Sequence, residues 1–290
     1  MGTSTPGAPT CHSEWMTEPI AGDRKAGIVG RFDRAASTYD QVGVTFFGTV
    51  ARSLVDRTAP RHGERVLDLG CGRGSSALLA ARAVGPSGRV LATDLAPQMV
   101  GGLRTRASDL PWLEVELGDA EHPPAGPWHV IQASLVLFFL PDLDAALDRY
   151  RAALAPRGRL GFTWFGAADE SWTPVYDAIV GALPEEDRPP RDVTSSGPFE
   201  SVAALEGHLG ERGFGDVVTT DVRLEVDFVD AEQWWAWTWS QGQRALLEAH
   251  ERHGTLDALH EVVDPMLHDR AAADGGLTWW TDVRCTVARS

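Results

Sequence analysis

The sequence predicts an α/β protein with a doubly wound, mostly parallel sheet and helices on both faces. Three observations predict it. Short apolar segments typical of strands alternate with segments typical of helices from about residue 65 onwards. The glycine-rich turn "VLDLGCGRG" joins the first strand to the next helix at residues 66–74. The chain has 290 residues and is 43% hydrophobic, enough to bury one large core.

The region ahead of the first strand divides into two parts. Residues 1–22 are rich in Pro, Gly, Ser and Thr, and we expect a disordered tail there. Residues 23–60 carry the spaced apolar residues of helices, and the pattern stops before Pro60. This second part is therefore expected to be helical.

Strands and helices then alternate through residues 61–165, the predicted ligand-binding core. The predicted strands are 65–70, 88–95, 112–119, 128–139 and 159–166, and the predicted helices are 72–85, 97–108 and 142–158. Pro97 begins one helix, and Pro156 with Gly158 ends another. This order predicts parallel strands connected by helices.

Residues 166–290 are expected to complete the sheet and to cover a substrate. The pattern loosens over 166–200, a helix is predicted at 200–214, and 230–276 is predicted to be helical. Strands predicted at 215–228 and 277–288 would bring the sheet to seven. We expect the insertions 166–200 and 230–276 to lie over the substrate.

Four of the eleven tryptophans are clustered in "EQWWAWTWSQGQR", residues 232–244. Asp230 as N-cap, Gln233 three residues later and an apolar pair, Val229 with Trp234, favour a helix that starts here. The alternative is a strand with alternate tryptophans on one face. On a helix the four rings would spread over about 200° of arc, too wide for a single buried stripe.

Composition argues against several classes of function. A net charge of -15 repels phosphate backbones, so no nucleic-acid partner is expected. The apolar run at 130–140 is too short to span a bilayer, and no secretory leader is recognisable, so we expect a cytoplasmic protein without membrane contact. The cysteines Cys11, Cys71 and Cys285 are scattered, and the HxxH at 250–253 fits a solvated helix face. Neither a disulfide nor a metal site is expected.

The glycine loop has the composition of a nucleotide-type ligand site. Gly70, Gly72 and Gly74 follow Asp68, let the chain turn tightly and let a ligand approach the backbone. The spacing is GxGxG, and Ser75 stands where the dinucleotide fingerprint has its third glycine. The loop alone is also compatible with a plain strand-to-helix turn.

Acidic residues follow the loop where a nucleoside would need them. Asp94 ends the second strand, 22 residues after the middle glycine, and can accept both hydroxyl protons of a ribose. Asp119 follows the third strand and can accept from an adenine amine, while the amide of Ala120 donates to the ring. Leu95 and Met99 offer apolar surface to the faces of that ring.

With these residues, the chain resembles the class I S-adenosylmethionine-dependent methyltransferases over about residues 30–165. The segments that carry the resemblance are "FDRAASTYD", "VLDLGCGRG", "ATDLAPQM", "GDAEHPP" and "ASLVLFFLPD". Within the superfamily it is most similar to the ubiquinone/menaquinone-biosynthesis-type group and its polyketide-modifying relatives, such as aklanonic acid methyltransferase. The resemblance implies a Rossmann-like fold, S-adenosyl-L-methionine as cofactor and S-adenosyl-L-homocysteine as product.

The resemblance also implies roles for individual residues. Residues 23–60 would form a helical lid, and Tyr39, in "FDRAASTYD", would close over the cofactor as part of it. Asp68, the loop glycines and Ser134 would contact the cofactor. The family often has a His-His pair after the fourth strand, where this chain has Phe138 and Phe139, so we expect an apolar pocket with Phe138 at the substrate.

We expect methyl transfer, to oxygen, on a small aromatic or polyketide-like acceptor. The expected acceptor contacts are Trp235 and Trp239, about 40° apart on a helix, and Arg244, which would pair either with a substrate carboxylate or with a nearby acid. No catalytic residue is assigned, because the cofactor supplies the electrophile. A homodimer is compatible with the sequence.

Three alternatives stay open at this point. The same fold can keep its cofactor and catalyse a cyclisation or decarboxylation without methyl transfer. A nicotinamide oxidoreductase would explain the glycine loop, although Ser75 and the Asp119 loop count against it. A non-catalytic binding protein is the third.

Overall fold

A seven-stranded sheet forms the centre of the computed structural model, which describes residues 24–188 and 197–290. The predicted tail at 1–22 and part of the 166–200 insertion lie outside the described residues. The strands are β1 (Arg65–Leu69), β2 (Arg89–Asp94), β3 (Leu113–Leu117), β4 (Trp128–Ser134), β5 (Leu154–Ala168), β6 (Gly215–Phe228) and β7 (Leu277–Arg289). The helices are α1 (Arg24–Ala35), α2 (Phe46–Thr58), α3 (Ser75–Val84), α4 (Pro97–Arg106), α5 (Leu143–Ala153), α6 (Thr173–Gly181), α7 (Val202–Glu211), α8 (Ala231–Trp239), α9 (Arg244–His253) and α10 (Leu256–Asp274).

The predicted fold class is confirmed. The strand order is β3-β2-β1-β4-β5-β7-β6. Among the described strands, β7 alone runs in the opposite direction to the other six. Successive residues of β1 pack on opposite faces, Val66 with α3 and Leu67 with α5. The strand order reverses between β1 and β4, so a crevice opens at the carboxyl ends of the central strands.

Two predicted elements are shorter in the structure. β4 ends at Ser134 rather than at 139, because Leu135 has a φ of 58° and its amide donates to Thr163 Oγ1 at 2.9 Å. The chain thereby leaves the sheet at the crevice. The helix predicted at 142–158 ends at Ala153, where Leu154 is already extended and pairs with β4.

The tryptophan stretch forms helix α8, as the capping signals predict. Asp230 accepts a hydrogen bond from the Gln233 amide at 2.8 Å, and Gln233 Oε1 accepts from the Val229 amide at 2.8 Å. The expected packing of Val229 on Trp234 is wrong, because the Val229 side chain is 82% exposed. Gln233 Nε2 instead donates to Val42 O at 3.0 Å, which ties α8 to the segment between α1 and α2.

Within 24–188 and 197–290, no helix combines the length and the apolar character that crossing a membrane requires.

Candidate functional site

A cleft that encloses about 780 Å³, including space open to solvent, lies at the carboxyl ends of the central strands. One wall belongs to the sheet and its loops, and the opposite wall is α1 with Tyr39. The predicted site residues that line the cleft are Tyr39, Gly70, Gly72, Asp94, Leu95, Met99, Asp119, Ala120 and Ser134. The structure therefore brings together residues predicted from five separate segments of the sequence.

The three loop glycines serve different purposes. All have positive φ, but a Cβ added to Gly72 would meet no atom within 4 Å, so the backbone there is open to a ligand. A Cβ on Gly70 would lie 2.4 Å from Val136 Cγ2, and one on Gly74 would lie 2.1 Å from Leu103 Cδ1. Gly70 and Gly74 therefore allow close packing beneath the loop. Gly74 is not among the lining residues of the cleft.

Asp94 fixes the loop and keeps acceptor capacity. Its Oδ2 accepts from the Gly72 amide at 2.8 Å, and its Oδ1 accepts from the Ala96 amide at 2.9 Å. Burial raises the pKa of Asp94 above its ordinary value, and these amide hydrogen bonds oppose the rise. Each carboxylate oxygen can accept a second hydrogen bond, so Asp94 can still receive two hydroxyl donors.

Asp119 carries an ion pair that the sequence analysis missed. Lys25 Nζ, from α1, donates to Asp119 Oδ2 at 2.6 Å and also pairs with Glu121. Burial acts to raise the pKa of Asp119, but hydrogen bonds from Lys25, the Glu121 amide and His122 lower it below its usual value. Lys25 is the only lysine in the sequence, and this rarity is the signal that could have drawn attention to it.

Asp68 lies beneath the loop rather than along the cleft. It is fully buried, and Ser76 Oγ contacts its two oxygens at 3.0 and 2.9 Å. Burial raises the pKa of Asp68 to about 7. In this structure Asp68 supports the start of α3, and direct contact with the cofactor stays a prediction.

Two ion pairs, at Asp40 and at Arg34, join the lid to the body of the protein. Arg73 Nε donates to Asp40 Oδ1 at 2.7 Å, beside Tyr39, whose ring stacks on Phe47 at 4.1 Å. At the end of α1, Arg34 donates to Glu248 of α9 at 2.7 and 2.6 Å. Burial raises the pKa of Tyr39 far above its ordinary value, so its hydroxyl stays protonated.

A second cavity, the aromatic chamber, adjoins the cleft. It encloses about 410 Å³, including space open to solvent, and shares Phe32 and Tyr39 with the cleft. Its lining consists of aromatic rings and one short glutamine–glycine segment: Phe32, Tyr39, Phe46, Phe47, Phe165, Trp237, Gln241, Gly242, Gln243 and Trp279. No carboxylate, imidazole or basic side chain occurs among these described lining residues. The chamber thus suits a flat, apolar molecule.

The predicted acceptor residues of α8 and α9 lie elsewhere. Trp235 faces α10, where its Nε1 donates to Asp264 Oδ1 at 2.7 Å. Arg244 lies over the Trp239 ring at 5.3 Å and donates to Glu248 at 2.7 Å, so it pairs with a nearby acid, one of its two predicted alternatives. Of the four clustered tryptophans, Trp237 is the one that lines the described chamber.

Phe138 also lies behind the cavities. Its ring packs against Phe139 at 4.6 Å and Phe165 at 5.7 Å. Phe139 lines the cleft and Phe165 the chamber. Phe138, Trp235, Trp239 and Arg244 are therefore absent from the described lining of either cavity, and their contact with an acceptor stays a prediction.

The cleft fits S-adenosylmethionine on its own geometry. Gly72 leaves open space beside the backbone, Asp94 can accept from ribose hydroxyls, and Asp119 can accept from an amine. Leu95 and Met99 present apolar surface in the same cleft. The donors and acceptors of a nucleoside thus have counterparts in the arrangement that the cofactor requires.

Comparison with known proteins agrees with this fit. The sequence profile of a methyltransferase domain matches residues 66–158. The chain is 38% identical to nocamycin O-methyltransferase of Saccharothrix syringae, over 85% of this chain and 92% of that protein. It is 39% identical to aklanonic acid methyltransferase of Streptomyces sp. (strain C5), over 57% of this chain and 80% of that protein.

Solved structures show the same fold at low sequence identity. A phosphoethanolamine N-methyltransferase of Haemonchus contortus, in complex with S-adenosylhomocysteine, has a TM-score of 0.53 and 17% identity, covering 89% of this chain and 57% of that one. The YcgJ protein of Bacillus subtilis has a TM-score of 0.54 and 16% identity, covering 83% and 98%. By sequence, fold and site, the chain belongs to the S-adenosylmethionine-dependent methyltransferases.

Proposed function

We propose that the protein transfers the methyl group of S-adenosylmethionine to an oxygen atom of a small aromatic or polyketide-like natural product. The observation that carries this proposal is the aromatic chamber, which adjoins the cofactor cleft through Phe32 and Tyr39. Flat aromatic walls suit a planar ring system. The names of the two relatives, nocamycin O-methyltransferase and aklanonic acid methyltransferase, support the same class of acceptor.

The cleft residues receive roles in cofactor binding. Asp94 accepts from the ribose hydroxyls, and Asp119 with the Ala120 amide recognises the adenine edge. Leu95 and Met99 cover the adenine faces, both in the lining of the cleft. The glycine loop approaches the methionine end, with Tyr39 and Ser134 beside it. The cofactor supplies an activated methyl group, so the protein has to bind, orient and desolvate the acceptor.

The chamber favours an acceptor oxygen that is already acidic. Tyr39 is the single ionisable residue among the described lining residues of the chamber, and its raised pKa keeps it protonated and therefore unable to act as a general base. A phenol with a pKa of about 10 benefits from a general base, whereas a carboxylic acid with a pKa of about 4 is ionised without one. We therefore propose a carboxylate or a comparably acidic enol as the nucleophile.

Trideuteromethyl-labelled S-adenosylmethionine tests the proposal. Incubation with a panel of aromatic carboxylic acids and phenols should give a product that gains one labelled methyl, and mass spectrometry detects it. Saponification should remove the label from an ester and leave it on an ether. A converted acceptor that carries no label would contradict methyl transfer and favour cyclisation or decarboxylation in the same fold.

Two further proposals concern the cellular location and the oligomeric state. A cytoplasmic location is proposed for test by cell fractionation. A homodimer is proposed for test by light scattering of the purified chain.

A further inference from the structure

Trp237 lines the aromatic chamber, and its indole N–H has no hydrogen-bond partner among the described residues. Trp237 is 4% exposed, and its Nε1 is buried with no hydrogen-bond partner among the described residues. The rings of Phe46, Phe228 and Trp279 pack around it, at centroid distances of 6.3, 5.5 and 5.3 Å. None of these side chains can accept a conventional hydrogen bond.

Neighbouring tryptophans show the ordinary situation. Trp235, two residues earlier on α8, donates to Asp264 Oδ1 at 2.7 Å. Trp172 donates to Thr278 O at 3.0 Å. Buried N–H groups in proteins are almost always paired, because an unpaired one loses its bond to water without replacement. The unpaired Nε1 of Trp237 therefore requires an explanation, and Trp237 is a residue that lines a cavity.

Two glutamines at the edge of the chamber are hydrogen-bonded to each other. Gln241 Nε2 donates to Gln243 Oε1 at 2.9 Å, and the Gln243 amide donates to Gln241 Oε1 at 3.0 Å. Both glutamines are buried and line the chamber. The two side chains hold each other in place, and neither of these hydrogen bonds involves Trp237 Nε1.

We infer that Trp237 Nε1 donates a hydrogen bond to a ring carbonyl of the acceptor, so that the chamber selects planar ring ketones over plain hydrocarbon rings. The inference rests on the proposed function, because it takes the aromatic chamber as the acceptor site. The carbonyl is a second oxygen, distinct from the one that receives the methyl group. The Trp237 N–H is thus a specificity-determining contact, and the rings around it supply apolar area.

The test uses 9-fluorenone and fluorene, which share a planar three-ring frame and differ by one carbonyl. Neither is a methyl acceptor, so equilibrium dialysis with saturating S-adenosylhomocysteine reports binding without turnover. Trp237→Phe removes the N–H and keeps an aromatic ring. We expect this variant to weaken fluorenone binding about tenfold and fluorene binding less than about threefold.

Trp235→Phe is the matched control, because that indole lies on the same helix, is equally buried and donates to Asp264. It should change the two affinities equally. Equal losses for ketone and hydrocarbon in Trp237→Phe, no loss, or no binding of either probe to the wild type would each overturn the inference.

Wild-type protein labelled with ¹⁵N in its indoles keeps the inference testable if Trp237→Phe does not fold. One indole resonance should move with fluorenone and stay fixed with fluorene, and the absence of any ketone-specific shift would refute the contact. Methyl transfer to a natural-product acid without ketone selectivity refutes this inference alone. Ketone selectivity without methyl transfer to any acceptor refutes the proposed function alone.

Discussion

Replacing Gly72 by alanine should weaken ligand binding while the protein still folds. Gly72 has a φ of 53°, and its added Cβ would meet no protein atom within 4 Å. Gly72→Ala therefore carries only the backbone cost of an alanine in the left-handed region, about 1–2 kcal/mol of unfolding free energy. The methyl group would stand in the open space of the cleft, where the close approach of the cofactor to the backbone needs a glycine.

We expect Gly72→Ala to bind S-adenosylhomocysteine at least about 30-fold more weakly, or about 2 kcal/mol, because a ligand displaced by a methyl group loses its backbone contacts. Gly63→Ala is the control. Gly63 has a φ of 82° in the turn before β1, and its added Cβ would lie 3.7 Å from Ser87 Oγ. Both variants should lose similar stability in urea, and only Gly72→Ala should lose affinity in calorimetry. Equal cofactor affinity in the two variants would refute the assignment of the open loop to the ligand.

Two further changes test the lid and the buried acid. Glu248→Gln removes the charge that Arg34 and Arg244 share, so stopped-flow release of S-adenosylhomocysteine should be about threefold faster, with a stability change below about 1 kcal/mol. The exposed Glu251→Gln is the control and should leave the release rate unchanged. Equal release rates in the wild type and both variants would contradict a role of Glu248 in holding the lid closed. Asp68 has a folded pKa of about 7 against 3.8 unfolded, so its protonated form stabilises the fold fully at low pH, and this contribution is lost as pH rises from about 4 to 7. Between pH 5 and pH 8 the free energy of unfolding of the wild type should therefore fall by roughly 2–3 kcal/mol more than that of Asp68→Asn. Urea unfolding measures both, and parallel pH profiles of the two proteins would contradict a buried, protonated Asp68.

The fold and the residues that meet at the cleft could be predicted because their signals are local in the sequence. A strand followed by closely spaced glycines and a helix is dictated by backbone geometry, and Asp94 and Asp119 each follow a strand directly. Because the strands are parallel, their carboxyl ends lie at the same edge of the sheet, which brings Asp94 and Asp119 to one cleft. Ser134, which the resemblance implied as a cofactor contact, also lines the cleft, even though β4 proved shorter than predicted.

The rest of the site depends on how helices are rotated and docked. Four tryptophans spread around α8 point in several directions, and packing against α10 turns Trp235 away while Trp237 meets the chamber. Arg244 had two possible partners, and the nearer acid, Glu248, takes it. Lys25 and Asp119 are 94 residues apart, a pairing that no periodicity in the sequence encodes.

Calorimetric titration of the full chain with S-adenosylhomocysteine tests the central claim most directly, with Asp94→Ala as the comparison. The account predicts one binding site per chain and, in Asp94→Ala, an affinity at least about 30-fold lower, since hydrogen bonds to a charged acceptor contribute about 1.5–3 kcal/mol each. Thermal unfolding of the variant checks that it is folded. Absence of binding to the wild type, or undiminished binding to folded Asp94→Ala, would contradict the account.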